Sequence, residues 1–234
     1  MSHPIDAASD RTSRPRRPSW SGRRKGAIAS LVVLVLLLLP NVGPILRPYY
    51  APSTSMVPTL VAGQHFMVSR VAYGYSRNTF DLFDLPISGR WPDWQPSRGD
   101  VIVFRAPFDH KIQYVKRVVG LPGDRVQLVG GRLSINGRLV PRTPLPPASD
   151  PLQPARKVAS YRETLPGGVS YTILEMAGDT GPLDSTPEVI VPPRHLFLLG
   201  DNRDNSVDSR LPHSHRGIGL LPVELVIGRM IVRF

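Results

Sequence analysis

Three short stretches of this sequence carry polar groups in arrangements able to do chemistry. The first is P-S-T-S-M-V-P-T-L at 52–60, where Pro52 and Pro58 restrict the backbone on both sides of two serines spaced i, i+2. In an extended segment that spacing turns Ser53 and Ser55 toward the same side. A plain Ser/Thr/Pro loop has the same composition. The second is Y-V-K-R-V-V-G-L-P-G-D at 114–124. On a strand, Tyr114, Lys116 and Val118 share one face, with Val115, Arg117 and Val119 on the other. Lys116 is then either a solvated charge on a half-exposed strand or, among its apolar neighbours, a desolvated amine. The third is L-G-D-N-R-D-N-S-V-D-S-R at 199–210, which crowds Asp201, Arg203, Asp204, Asp208 and Arg210 into ten residues. It reads either as a charge-balanced loop or as a hydrogen-bonded network that fixes other side chains.

Other constellations fail. There is no G-x-S-x-G elbow, no H-E-x-x-H, no complete P-loop and no S-x-x-K, and Gly217-Ile-Gly219 lacks the third glycine of a dinucleotide turn. The absence of cysteine removes disulfide scaffolds, thiolate-held zinc and Cys nucleophiles. His213 and His215 have no carboxylate at ligand spacing and read as a loop pair. Asp204, Ser206 and Asp208 mimic half a calcium loop, but Ser209 stands where the sharp turn needs glycine and no Glu closes the set. Neither a metal nor a cofactor is expected.

The elements that must position these stretches follow from composition and pattern. The chain has 234 residues and a formal net charge of +11. Residues 1–25 hold seven basic and two acidic residues, and residues 26–46 hold no charge at all. A basic tail before an uncharged apolar run points to a membrane rather than to nucleic acid. As a helix, residues 26–39 would rise about 21 Å and residues 26–46 about 31 Å, against a hydrocarbon core of roughly 30 Å. A cleavable leader is the alternative, but no small-x-small site follows and Pro44, Pro48 and Pro52 crowd the place for one. The preferred reading is a retained anchor with the tail in the cytoplasm and everything after Arg47 outside. Tyr49 and Tyr50 suit the outer interfacial belt.

Beyond Phe66 the apolar runs are short and β-branched: 101–105, 112–119, 125–129, 132–135, 169–174, 188–191 and 195–199. Gly130-Gly131 and Asn136-Gly137 between such runs are hairpin signals. Six prolines between Pro141 and Pro154 predict a stiff, irregular connector. PVELV predicts one or two helical turns and GRMIVRF a closing strand. With 26 prolines and 20 glycines, a turn-rich, mostly β ectodomain is expected.

Together the blocks closely resemble the type I signal peptidases, membrane-anchored Ser-Lys endopeptidases that remove signal peptides from exported proteins. The resemblance rests on PSTSMVPTL, RGDVIVFRAP at 98–107, YVKRVVGLPGD, LGDNRDNSVDSR and the closing GLLPVELVIGRM, in the family's order behind an N-terminal apolar run. It implies Ser55 as nucleophile and Lys116 as general base. The Ser55 N–H and Ser53 Oγ would form the oxyanion hole, and Ser206 would orient the lysine. Asp201, Asp208, Arg210 and Arg117 would brace the site. A lysine serves as base once desolvation brings it from about 10.4 to about 7–8, at a cost of roughly 4 kcal/mol.

The implied layout is a cytoplasmic tail (1–25), a transmembrane helix (26–46), and an antiparallel β catalytic core in two parts (47–124 and 193–234) around an inserted β subdomain (125–192). The implied partners are the lipid bilayer of the inner membrane and extended signal peptides with small residues at the first and third positions before the cut. No nucleic acid is implied, and a monomer is expected. The Trp91–Trp94 loop with Phe80, Leu82, Phe83 and Leu85 either dips into the interface or packs as a satellite core. Among rivals, a self-cleaving repressor relative would be soluble with a DNA-binding head. The complete GDNRDNSVDSR block favours a general peptidase over a conjugative-transfer maturation peptidase. A non-catalytic anchored binding module is the remaining alternative.

Overall fold

The computed structural model describes Ser30 and residues 46–77 and 86–234. The expected tail, almost all of the expected anchor, and the apolar residues at 80–85 lie outside these. Among the described residues, no helix is long and apolar enough to cross a membrane.

The chain enters as strand β1 (Leu46–Tyr50), followed by β2 (His65–Ser69) and a short pair, β3 (Tyr75–Ser76) and β4 (Arg90–Trp91). Next come β5 (Val101–Ala106) and the long β6 (Asp109–Gly120). Seven strands then run through the middle of the sequence: β7 (Arg125–Val129), β8 (Arg132–Ile135), β9 (Arg138–Leu139), β10 (Arg142–Ser149), β11 (Lys157–Thr164), β12 (Ser170–Glu175) and β13 (Val189–Ile190). The chain closes with β14 (His195–Leu199), β15 (Leu221–Pro222) and β16 (Val226–Arg233). Single 3-10 turns stand at Arg203–Asn205, His213–His215 and Val223–Leu225. The fold is mostly antiparallel β, as expected.

The largest sheet has the order β1-β2-β16-β5-β6-β14-β15. β6 pairs with β5 along most of its length, with Lys116 opposite Ile102 and Arg117 opposite Val101. On its other side β14 reaches only Arg117, Val118 and Gly120. Among the described residues, the stretch from Asp109 to Lys116 therefore offers a free edge. The middle strands form two further sheets, β10-β11-β12 and β13-β7-β8-β9. Gly130, Gly131, Asn136 and Gly137 all have positive φ, the backbone that the tight β7–β8 and β8–β9 turns require.

Prolines account for two departures from expectation. Residues 142–149, expected to be irregular, form β10. Among the described residues this strand pairs only with β11, so its prolines face no second ladder there, and a register shift between Leu145 and Ala148 absorbs Pro146 and Pro147. Likewise Leu46, expected to end the membrane helix, begins β1, which among the described residues is an edge strand paired only with β2 and so tolerates Pro48. Tyr49, expected at a lipid interface, stacks on Phe66 with ring centroids 6.0 Å apart. It packs against a core of Ala51, Met56, Leu60, Phe66, Val68, Val101, Val103 and Ile227. That core lies beneath the serine segment.

Candidate active site

Residues 53–60 leave β1 as a tight turn rather than a strand, closed by Leu60 N–H donating to the Met56 carbonyl at 2.9 Å. Met56 and Leu60, 1% and 0% exposed, anchor the turn in the core and leave Ser55 at the base of a cleft. The cleft encloses about 280 Å³, and its walls include Tyr50, Pro52, Phe66, Ile112, Tyr114 and Val115. Ser53 and Ser55 do face one another, with their hydroxyl oxygens 3.2 Å apart.

Lys116 enters from β6. Its side chain is 1% exposed, and its Nζ donates to Ser55 Oγ at 2.7 Å and to the Val115 carbonyl at 3.0 Å. The Tyr114 ring lies 5.5 Å from Nζ. Burial is the main influence on this amine. It lowers the pKa from 10.5 to about 8, although Asp208 and Asp201 pull it back up, and Arg210 adds a smaller downward push. An amine in this state is a base near neutral pH, within reach of a hydroxyl proton. Lys111, on the same strand, is exposed.

The loop after β14 closes over the serine turn. Asn202 N–H donates to the Ser55 carbonyl at 3.1 Å, Asn202 Nδ2 to the Thr54 carbonyl at 3.2 Å, and Asn205 Nδ2 to Thr54 Oγ1 at 2.6 Å. The loop approaches this closely because residue 200 is glycine. A Cβ there would stand 2.2 Å from Ser206 Oγ and 2.6 Å from the Ser55 carbonyl oxygen.

The loop's acidic residues hold fixed cations. Asp201 accepts from Arg117 Nε at 2.8 Å and Arg117 Nη2 at 2.7 Å, and from the Thr59 hydroxyl. Arg117 also donates to the Gly99 carbonyl at 2.8 Å and lies 4.1 Å from the centre of the Tyr171 ring. Burial works against its charge, but Asp201 outweighs that and raises its pKa. Asp208 accepts from Arg210 Nε and Nη2, each at 2.9 Å, and from Gly200 N–H at 3.1 Å. Burial pushes the Asp208 carboxyl up, yet Arg210 and these donors hold it below its usual value. Arg203 is buried against Glu163, which also accepts from the Tyr171 hydroxyl at 2.7 Å.

The expected site residues thus fall into one neighbourhood, with one difference in detail. Ser206 makes no hydrogen bond to Lys116. Among the described residues its buried hydroxyl has no partner of good geometry, and it faces Asp208, whose ionised form it favours. Sequence reasoning did not single out Thr54, Thr59, Asn202, Asn205 or the Glu163–Arg203 pair. Each acts through a partner at least 40 residues away, as in the Glu163–Arg203 bond itself, so no local spacing marks it.

A serine hydroxyl 2.7 Å from a buried amine, mounted on antiparallel sheets, is an arrangement in which a lysine can serve as base to a serine nucleophile. Comparison with known proteins gives the family. Residues 24–234 match the family described as signal peptidase, peptidase S26. The chain is 34% identical over 207 residues to the signal peptidase I of Rickettsia canadensis, covering 86% of this chain and 75% of that one. It is 31% identical over 231 residues to the signal peptidase I of Rickettsia conorii, covering 96% and 81%. A crystal structure of a signal peptidase I from Enterococcus faecalis is 26% identical and covers 58% of this chain and 97% of that one, with a TM-score of 0.34, too partial a likeness to bear on the fold. The chain belongs to the signal peptidase family, peptidase S26, and is a serine endopeptidase.

Proposed function

We propose that this enzyme removes N-terminal signal peptides from exported preproteins, with Ser55 as nucleophile and Lys116 as general base. The observation that carries the reading is the 2.7 Å approach of a fully buried Nζ to Ser55 Oγ. With the amine neutral, Oγ–H gives its proton to Nζ as Oγ attacks the scissile carbonyl. The oxyanion that forms is met by Ser53 Oγ and Ser55 N–H. The ammonium then protonates the leaving amine, which departs as the new N-terminus of the mature protein. Water, deprotonated by the same lysine, releases the signal peptide from Ser55.

Substrate binds extended, adding a strand along the free edge of β6 next to the cleft. A cleft of about 280 Å³ walled by aromatic and branched side chains suits the small residues before the cut. Asp201, Asp208, Arg117 and Arg210 brace the turn and the loop that closes over it and take no proton, and Ser206 acts on Lys116 only through Asp208, whose ionised form it favours.

The enzyme is anchored by the apolar run at 26–46, single-pass, with the basic tail cytoplasmic and the catalytic part on the outer side of the inner membrane. It acts as a monomer. Support for contact with the bilayer comes from an aromatic cluster at the edge of the sheet. Tyr50, 55% exposed, lies 5.5 Å from His65, and Phe234, 65% exposed, lies 6.3 Å from the same ring.

The test is cleavage of a preprotein with a small-x-small motif by detergent-solubilised enzyme. Ser55→Ala and Lys116→Ala should each abolish cutting, while Lys111→Ala keeps it near the wild-type rate. Equal loss in Lys111→Ala and Lys116→Ala would overturn the assignment of the base.

A further inference from the structure

Glu175, at the end of β12, is 1% exposed, and among the described residues neither of its carboxylate oxygens has a hydrogen-bond partner. A buried carboxylate without a donor is rare in native proteins and signals a missing partner. Arg203 exerts an attraction on it but is itself bound to Glu163, at 3.2 Å through Nη1 and more closely through Nη2. What Glu175 does face is more acid. One oxygen each from Glu175, Asp184 and Asp204 lie within 4.8 Å of one another. Burial, reinforced by those two aspartates against the relief from Arg203, pushes the Glu175 carboxyl up to about 8.

The three residues come from separate places: the end of β12, the 177–184 loop, and the 3-10 turn after β14. The loop is drawn to the turn by Ala177 N–H donating to Asp204 Oδ2 at 2.7 Å, and is folded on itself by Gly181 N–H donating to Asp184 Oδ2 at 2.5 Å. A Cβ on residue 181 would stand 2.3 Å from Asp204 Oδ1 and 3.1 Å from Asp184 Oδ2, so any side chain there would have to push these carboxylates aside. A donor set made only of oxygen is the chemistry of hard cations. Three protein carboxylates converging on one point suit calcium, which takes about six to eight oxygens in a flexible geometry, better than magnesium, which keeps several waters and is held by one or two carboxylates. The half calcium loop visible in the sequence shares only Asp204 with this cluster; Asp208 is taken by Arg210.

We propose that Glu175, Asp184 and Asp204 form a binding site for one divalent cation of calcium's size, which ties the 177–184 loop to the turn at Arg203–Asn205. That turn is flanked by Asn202 and held by Asn205, the residues that grip the Ser55 carbonyl and Thr54. The ion braces the serine turn from behind. The inference stands on this cluster's own geometry, whatever reaction Ser55 performs.

The test uses the full chain in detergent, stripped with a chelator, then titrated calorimetrically with calcium chloride and separately with magnesium chloride. Calcium should bind one per chain and raise Tm by about 5–10 °C at a hundredfold excess over Kd. E175Q, which removes charge but little volume, should weaken calcium binding at least about tenfold and lose the Tm rise. D204N should do the same. Chelated E175Q should fold at least as stably as chelated wild type, because glutamine needs no proton to sit buried beside the two aspartates, whereas Glu175 must be held protonated there. Absence of calcium binding up to about 10 mM, well above weak extracellular sites, would overturn the proposal. So would unchanged calcium affinity in E175Q, or magnesium binding as tight as calcium.

Discussion

Replacing Lys116 by Met separates the cost of burying an amine from its use. Lys116 is 1% exposed, and burial holds its pKa at about 8 rather than 10.5. That depression corresponds to about 3 kcal/mol against the charged form. Between pH 8 and 10.5 the unfolded chain binds a proton that the folded chain has released, so stability rises with pH across that window. Below pH 8 both states are protonated and the folded state carries the full penalty. Methionine removes the charge at similar length but also removes the 2.7 Å and 3.0 Å hydrogen bonds to Ser55 Oγ and the Val115 carbonyl. Their loss offsets about 1–2 kcal/mol. The expected net is a gain of about 1–2 kcal/mol at pH 6.5, or a Tm about 2–8 °C above wild type, in a protein that no longer cuts. Scanning calorimetry at pH 6.5, 8 and 10.5 checks this. The gap should close or reverse by pH 10.5. A variant less stable than wild type at pH 6.5, by a margin unchanged at pH 10.5, would refute the desolvation argument.

The cleavage rate should follow the neutral amine. The kcat/KM for a preprotein peptide should rise about tenfold per pH unit below pH 8 and flatten above it, and an inflection near pH 5 would assign the base to a carboxylate instead. Ser53→Ala should lower kcat about 10²–10³-fold in steady-state assays, since one donor to the oxyanion is lost while Ser55 and Lys116 keep their contact. Glu163→Gln should cost about 3–5 kcal/mol in urea unfolding, because it leaves the buried Arg203 charge without its carboxylate. Adding Arg203→Met to that variant should recover part of the loss.

How far the sequence discloses this molecule depends on how local each determinant is. The run HLFLL is read directly as β14, and the Gly130-Gly131 and Asn136-Gly137 turns disclose the β7–β9 hairpins, because backbone rules act over a few residues. β10 escapes because prolines read as breakers until an edge position makes them harmless. β11 escapes because its buried positions are Val158, Ser160 and Glu163, two of them polar and on opposite faces of the strand, so no alternating apolar row is visible. Glu163 can turn inward only because Arg203, 40 positions on, waits there. The serines and Lys116 are legible as motif blocks. The asparagines that hold the serine turn, and the acidic cluster around Glu175, are not, since each is assembled from segments that meet only in the folded chain.

That long-range assembly bears on when the enzyme becomes dangerous to its surroundings. Lys116 and Ser55 are 61 positions apart, and the clamps from Asn202 and Asn205 to Thr54 span 148 and 151. Contacts so distant in sequence form late, after loop-closure entropy has been overcome. A nascent or half-folded copy therefore has a serine but no deprotonated amine beside it, since an exposed lysine stays charged at neutral pH. If Ser55 and Lys116 act as proposed, competence to cut arrives only once the loop bearing Asn202 and Asn205 has closed on the serine turn, so the order of folding itself shields the surroundings of the newborn chain.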